Sequence, residues 1–341
     1  MPYQVTIQPS GHRFAINDDE TILTAALREG FAMPYGCRNG ACGSCKGTIL
    51  QGQLDYGEYQ GTALTPDEKA AGKALFCVAR ASSDLVIEVR EVSAAKDITS
   101  KTLPCRVQTL ERLADDVMVM HVKLPANERL QYLAGQYLDF LLKDGKRRSY
   151  SIANPPHDDA LIELHLRHVP GGLFTDRVFS VMKEKDILRI NGPLGSFFIR
   201  EDSDKPMIFV AGGTGFGPIK AMLLHLFQEK SLRQTVLYWG ARRPRDLYMA
   251  DLPGQWQREH KNFTFIPVLS EPQPEDQWGG RTGNVHQAVL DDFRDLSGWQ
   301  VYACGAPIMV DSARATFAQR GLPQDEFFSD SFVYAAENAG R

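Results

Sequence analysis

The sequence predicts a multidomain protein combining the α+β and α/β classes, and three features along its 341 residues carry that expectation. Short strand and helix patterns surround a glycine- and cysteine-rich loop in residues 1–95. A series of short strands separated by turn residues then points to an antiparallel barrel. From residue 207 strands alternate with helices, as in a doubly wound parallel sheet. The chain is also longer than one ordinary core sustains. The expected division is a first domain at 1–95, a linker at 96–104, a second domain at 105–202 and a third at 203–341.

The first domain opens with two alternating runs, 4–8 and 13–16, that read as a hairpin. Asp18-Asp19-Glu20-Thr21 then precedes Ile22, Leu23, Ala26 and Leu27, an acidic helix start followed by apolar residues at helical spacing. Strand patterns return at 46–50 and 85–89, whereas 96–104 shows little periodicity. In the second domain strands are expected at 117–124, 136–142, 149–153, 161–169 and 187–190, with one helix near 175–183. The third reads as strands at 207–211, 235–240, 263–269 and 300–303, with helices at 218–229, 284–291 and 308–320.

Composition excludes some functions. A net charge of −4 provides no basic field for nucleic acid. No apolar run approaches the roughly 20 residues that span a bilayer. The N-terminus alternates polar and apolar residues from the outset, unlike a signal peptide. A cytoplasmic location is therefore expected, and in that reducing compartment disulfides are disfavoured. The six cysteines need another explanation.

Four of them have one in their spacing. Cys37, Cys42 and Cys45 stand as Cys-x4-Cys-x2-Cys, with Cys77 further on, the plant-type 2Fe–2S pattern. Each iron needs two thiolates to complete a tetrahedron. The intervening residues are nearly all small, which lets backbone N–H groups approach the sulfurs of a negatively charged cluster. Four cysteines also hold structural zinc, but zinc sites favour paired Cys-x2-Cys knuckles, and here Cys37 and Cys77 stand singly.

Arg148-Ser149-Tyr150-Ser151 falls on an expected barrel strand and offers a cation, an aromatic face and a hydroxyl suited to a flavin dinucleotide. Gly171-Gly172-Leu173-Phe174-Thr175 offers bare backbone and a hydroxyl at a helix start, a natural anion site. Alone, Tyr150 also reads as an ordinary half-buried strand aromatic. In the third domain, Ile208-Phe209-Val210-Ala211 runs into Gly212-Gly213-Thr214-Gly215-Phe216-Gly217-Pro218, a strand, a glycine turn and a proline at a helix start. That arrangement aims backbone amides at a pyrophosphate, although a glycine turn also serves as a tight connection. Cys304, at the end of the 300–303 strand and before Gly305, reads either as a support for a nicotinamide ring or as a buried small hydrophobe. Arg242, Arg243 and Arg245 read either as a 2′-phosphate site favouring NADPH or as a solvated or ribose-side face.

Taken together, these motifs resemble the iron–sulfur flavoprotein reductases of the ferredoxin–NADP reductase superfamily. The resemblance spans the chain, including Gln131-Tyr-Leu-Ala-Gly-Gln-Tyr137, Arg147-Arg-Ser-Tyr-Ser-Ile-Ala-Asn154 and Phe327-Phe-Ser-Asp-Ser-Phe-Val333. It implies a β-grasp ferredoxin domain, an antiparallel FAD-binding barrel and a Rossmann-like NAD-binding domain. It implies Cys37, Cys42, Cys45 and Cys77 as cluster ligands, and Arg148, Tyr150, Ser151, Gly172 and Thr175 about FAD. Gly213, Thr214, Gly215 and Pro218 would line the nicotinamide nucleotide, Cys304 would lie beside its ring, and Phe332 would approach the flavin. The implied activity is NADH-dependent (NADPH is also possible) electron transfer through FAD and the cluster to an acceptor protein. That acceptor is a sugar-nucleotide dehydrase or, alternatively, an aromatic-ring or phenol/alkene oxygenase component. The reading from a different class is a non-catalytic zinc-binding or sensor protein.

Overall fold

The computed structural model describes residues 2–92 and 98–333. The chain divides into two compact units, Met1–Ile98 and Thr99–Arg341.

In the first unit, β1 (Tyr3–Gln8) and β2 (Arg13–Ile16) pair antiparallel as the expected hairpin. Helix α1 (Ile22–Arg28) begins where Thr21 accepts the Thr24 N–H, and it turns Ile22, Leu23, Ala25 and Ala26 inward. There follow β3 (Lys46–Gln51), β4 (Leu54–Asp55), α2 (Pro66–Ala70), β5 (Lys73–Leu75), β6 (Arg80–Ala81) and β7 (Leu85–Glu88). The main sheet runs β2-β1-β7-β3-β5, with only β1 and β7 parallel, and β4 pairs with β6. Val5, Ile7, Ile16 and Ile87 of the sheet meet Ile22 and Leu23 of α1 in one core. Each such side chain, once buried, contributes about 1.5–3 kcal/mol. The Cys37–Cys45 loop leaves this core between α1 and β3.

The second unit begins with β8 (Lys101–Ala114), β9 (Val117–Lys123), β10 (Tyr137–Leu141), β11 (Arg147–Ser151) and β12 (Ile162–Arg167). After them come α3 (Leu173–Ser180) and β13 (Ile187–Leu194). The sheet order is β11-β10-β13-β8-β9-β12. An antiparallel bridge between Ile152 and Leu164 joins its two ends, which makes it a six-stranded barrel. The expected linker is shorter than its 96–104 span, because Lys101–Pro104 already belong to β8. The span that shows little periodicity opens an alternating strand in which Leu103, Cys105 and Val107 face the barrel core, with Pro104 between the first two. The proline is tolerated because β8 pairs with β13 at Pro104, while its pairing to β9 begins only at Arg106.

The same unit continues with β14 (Met207–Gly212), α4 (Phe216–Gln228), β15 (Thr235–Ala241), α5 (Asp251–Glu259) and β16 (Phe263–Leu269). It ends with β17 (Arg281–Thr282), α6 (Val285–Asp292), β18 (Gln300–Gly305), α7 (Pro307–Ala318) and β19 (Phe327–Ser331). All six strands are parallel, in the order β17-β16-β15-β14-β18-β19. Central β14 is covered on both faces, and Met207 to Ala211 have no exposed surface, which explains its unbroken apolar run. From β14 the chain steps outward through β15, β16 and β17, then returns to place β18 on the other side. The strand order therefore reverses between β14 and β18, where the crevice of an open α/β sheet takes its ligand.

Candidate functional site

The cysteine loop is built for close backbone approach to sulfur. Arg38, Gly40 and Gly43 adopt positive φ, and a Cβ on Gly40 would come within 2.8 Å of the Glu58 carbonyl. The four thiols fall into two interacting pairs, Cys37 with Cys42 and Cys45 with Cys77. The Cys37 N–H donates to Cys42 Sγ at 3.3 Å. Further backbone hydrogen bonds reach Cys37 from Asn39 and Ala41, Cys42 from Ser44, and Cys77 from Gly40. Their hydrogen bonds to the partner thiols, with help from these amides, bring Cys42 down to about 5 and lower Cys77, against the effect of burial. Cys37 and Cys45 move the opposite way, because their partners already hold the negative charge and burial adds to the penalty. Two thiol pairs ringed by amides fit a centre that needs two thiolates for each of two irons.

Strand β11 carries Arg148, Tyr150 and Ser151. Arg148 and Tyr150 share one face, and Ser151 lies on the other. The Tyr150 ring packs beside Phe140 and Phe174, at centroid distances of 5.9 and 5.5 Å. Gly172 caps α3 without a side-chain bond. The Thr175 hydroxyl donates to the Val169 carbonyl at 3.1 Å and accepts the Val169 N–H at 3.2 Å, so it fastens the turn rather than pointing outward. A Cβ on Gly172 would meet that same hydroxyl at 2.7 Å. The bare backbone expected at this helix start is present, and its hydroxyl is committed to the chain itself.

At the β14–β18 reversal lies a cleft of about 390 Å³, lined by Arg167, Gly213, Thr214, Arg242, Ala306 and Phe332 among others. Its floor is made of two glycine turns set against each other. Gly213 has φ +53°, and a Cβ on Gly215 would come within 2.1 Å of the Cys304 carbonyl. The helix starts at Phe216, two residues before Pro218, which sits buried in the first turn where an N–H would have no helical partner. Cys304 has no exposed surface and belongs to the core with Phe209, Phe216 and Trp239, beneath the turn rather than in the cleft wall. Burial and the nearby Asp330 carboxylate push its thiol well up. The Phe332 N–H donates to the Gly305 carbonyl at 2.9 Å, which holds that aromatic at the cleft.

All three arginines after β15 face carboxylates. Arg242 lies 3.3 Å from Asp246 and 3.6 Å from Asp116. Arg243 lies 2.9 Å from Asp276 and 2.8 Å from Glu275, and Arg245 is 3.9 Å from Asp115.

Asp330 was not singled out in the sequence. It faces Ser151, whose Oγ lies 3.2 Å from its carboxylate, and pairs in register with Cys304 on the neighbouring strand. Its one sequence signal is an acid inside Phe327-Phe-Ser-Asp-Ser-Phe332, an otherwise apolar and small-residue run.

Three family models match in chain order: a 2Fe-2S iron-sulfur cluster binding domain over 5–82, an oxidoreductase FAD-binding domain over 104–199 and an oxidoreductase NAD-binding domain over 209–315. Among curated relatives, the CDP-6-deoxy-L-threo-D-glycero-4-hexulose-3-dehydrase reductase of Yersinia pestis is 41% identical over 333 residues, covering 98% of this chain and 99% of that protein. The reductase component of phenol 2-monooxygenase from a Pseudomonas strain is 36% identical, covering 100% of this chain and 97% of the relative. Among solved structures, a cytochrome P450 reductase of Amycolatopsis superimposes with a TM-score of 0.77 at 32% identity, over 97% of this chain and 98% of that one. No helix among the described residues is long and apolar enough to cross a membrane. The chain belongs to the iron–sulfur flavoprotein reductases, oxidoreductases that carry a 2Fe–2S domain, an FAD-binding domain and an NAD-binding domain on one polypeptide.

Proposed function

We propose that this protein takes electrons from NADH and delivers them singly to a sugar-nucleotide dehydrase, in the manner of a CDP-6-deoxy-Δ3,4-glucoseen reductase. Whole-chain identity of 41% to the Yersinia reductase is the observation that carries the choice of partner. A bound flavin supplies the conversion between a two-electron hydride donor and a one-electron cluster. The chain's own task is geometric: to hold each group at a fixed place in a water-poor site.

On this reading the working parts are a cluster domain at 1–95, a flavin barrel at 105–202 and a nucleotide domain at 203–341. Cys37, Cys42, Cys45 and Cys77 hold the cluster. Arg148 balances pyrophosphate charge, Tyr150 offers its ring to the isoalloxazine, and Ser151 orients its polar edge. Gly172 and Thr175 shape the turn at the flavin pyrophosphate. Gly213, Thr214 and Gly215 present backbone to the nicotinamide nucleotide, Pro218 sits in the first turn of the supporting helix, and Cys304 backs the turn beneath the ring. Phe332 occupies the flavin side of the cleft. NADH is the preferred donor because the arginines by the cleft already face carboxylates.

The relatives named as oxygenase reductase components keep a second acceptor in view, an aromatic-ring or phenol oxygenase. Anaerobic NADH oxidation with purified candidate acceptors separates the two, beginning with proteins encoded beside this gene. Turnover with a dehydrase and its sugar nucleotide, but not with an oxygenase, is the expected result, and the opposite pattern sinks the first choice. In the same assay Cys42→Ser abolishes delivery to the acceptor while NADH–ferricyanide activity at the flavin persists. Loss of both with FAD still bound would contradict the relay order.

A further inference from the structure

Barrel strand β12 carries an unusual polar stripe. Glu163, His165 and Arg167 alternate along it and share one face, and the nucleotide fold makes contacts along that face. The Lys220 ammonium, on α4, donates to both Glu163 oxygens at 2.8 and 2.9 Å and to the Ala153 carbonyl at 3.1 Å. His165 Nε2 lies 2.6 Å from Glu163 Oε1, and its Nδ1 lies 2.8 Å from the Tyr248 hydroxyl. Tyr248 meets Trp239 edge-on at 5.3 Å, and the Trp239 indole N–H donates to the Gly213 carbonyl at 3.0 Å. Lys220 and His165 are both buried.

The protonation pattern is self-consistent. Burial alone would raise Glu163, but His121 at 3.7 Å, the hydrogen bond from His165 and the charge of Lys220 outweigh it and keep the carboxylate ionised. Burial holds His165 neutral against the pull of Glu163. Its Nε2–H then donates to Glu163 while Nδ1 accepts the Tyr248 hydroxyl proton. A buried ion pair adds little net stability over apolar packing of the same volume. What it adds is direction, since an ammonium with three donors and three matched acceptors fixes both partners in register.

Those partners are the two cofactor-binding segments. Ala153 lies two residues beyond Ser151, on the chain that carries the flavin motif, and pairs with β12 through its own N–H to the Glu163 carbonyl at 2.8 Å. Lys220 lies five residues beyond Gly215, on the helix that the glycine turn opens. We propose that Lys220 is a positioning residue for hydride transfer: through Glu163 and Ala153 it ties the glycine turn to the flavin-motif strand and so sets the distance between nicotinamide and flavin. This rests on the NADH-to-FAD reading above. Displacement of about 1 Å at such a site costs on the order of 100-fold in rate.

The test uses the holoprotein with FAD and cluster bound, in Lys220→Met, Lys220→Arg and the double variant Lys220→Met/Glu163→Gln, which strands no charge. Stopped-flow flavin reduction at saturating NADH is normalised to bound FAD, NADH binding is titrated separately, and amide exchange is followed at 151–154 and 212–217. Lys220→Met and the double variant should reduce flavin at least tenfold more slowly, with NADH affinity within threefold of wild type. Both segments should exchange faster, and Lys220→Arg should recover part of the rate. A per-flavin rate within threefold of wild type in Lys220→Met overturns the proposal. So does a double variant as fast as wild type, because the single change would then act only through the stranded Glu163 charge. If wild-type flavin is not reduced by NADH at all, the underlying reading fails instead.

Discussion

The Ser151 hydroxyl donates to the Asp330 carboxylate at 3.2 Å, and this bond joins the barrel strand of the flavin motif to the last strand of the nucleotide sheet. Both residues are buried, so neither can exchange its partner for bulk water. Asp330 also stands opposite Cys304 in the β18–β19 ladder, which puts the flavin-motif serine, the acid and the cysteine at one junction.

Removing the acid should therefore cost stability. Asp330→Ala leaves a buried hydroxyl without this acceptor and is expected to lower unfolding free energy by about 1–3 kcal/mol. Asp330→Asn, which keeps an acceptor oxygen, should recover most of it. Thermal unfolding of the FAD-loaded protein measures both, and equal melting temperatures for Asp330→Ala and wild type would count against the bond.

Gly215→Ala attacks the floor of the cleft. The added Cβ would lie 2.1 Å from the Cys304 backbone carbonyl, and no side-chain rotation relieves a clash between backbones. The turn must shift, so NADH affinity should fall more than tenfold while FAD and iron content stay near wild type. Titration with NADH under anaerobic conditions provides the check.

Coenzyme choice should be insensitive to Arg243. Its guanidinium is held by hydrogen bonds to Asp276 and Glu275, which raise it further above its usual range and leave it poorly placed for a 2′-phosphate. Arg243→Ala is expected to change the NADPH-to-NADH ratio of kcat/KM by less than threefold. A fall of tenfold would mean that the arginine leaves its acids to bind phosphate.

Acid should loosen the barrel–nucleotide contact through two groups acting in the same sense. His165 is lowered below 6.5 by burial, so the unfolded chain binds a proton first and stability declines as pH falls from about 6.5. Glu163 is also held below its ordinary value, so its contribution is present above about 4.3 and is lost as pH falls further towards its folded value. Melting temperatures from pH 7 to about 3 should decline in wild type, whereas the Lys220→Met/Glu163→Gln variant should keep the decline that begins near 6.5, because His165 is still buried, and lose the further step below about 4.3. Parallel curves would contradict this.

The sequence made the chemistry-bearing loops legible because they are local. Cys-x4-Cys-x2-Cys and the glycine turn after β14 are dictated by what a cluster or a pyrophosphate needs within a few residues. The parallel sheet was legible from the alternation of strand and helix. What stayed hidden depends on partners distant in sequence. Glu163 and Lys220 lie 57 residues apart, and Ser151 and Asp330 lie 179 apart. Lys220 stands in the apolar run Pro218-Ile-Lys-Ala-Met-Leu-Leu224, and Glu163 and His165 occupy alternate positions of one strand. Each was a visible anomaly, but only the fold showed that they answer one another. The start of strand β8 escaped because 96–104 shows little periodicity, and Pro104 is tolerated there because the pairing with β9 begins only at Arg106.

The central claim is that cluster and flavin share this polypeptide and receive electrons from NADH. Metal and flavin analysis of the anaerobically purified protein, followed by titration with NADH, tests it most directly. Iron and FAD are expected in a ratio of about two to one, with bleaching of both the flavin and the iron–sulfur absorption on adding NADH. Zinc in place of iron, or a visible spectrum without flavin, would contradict it.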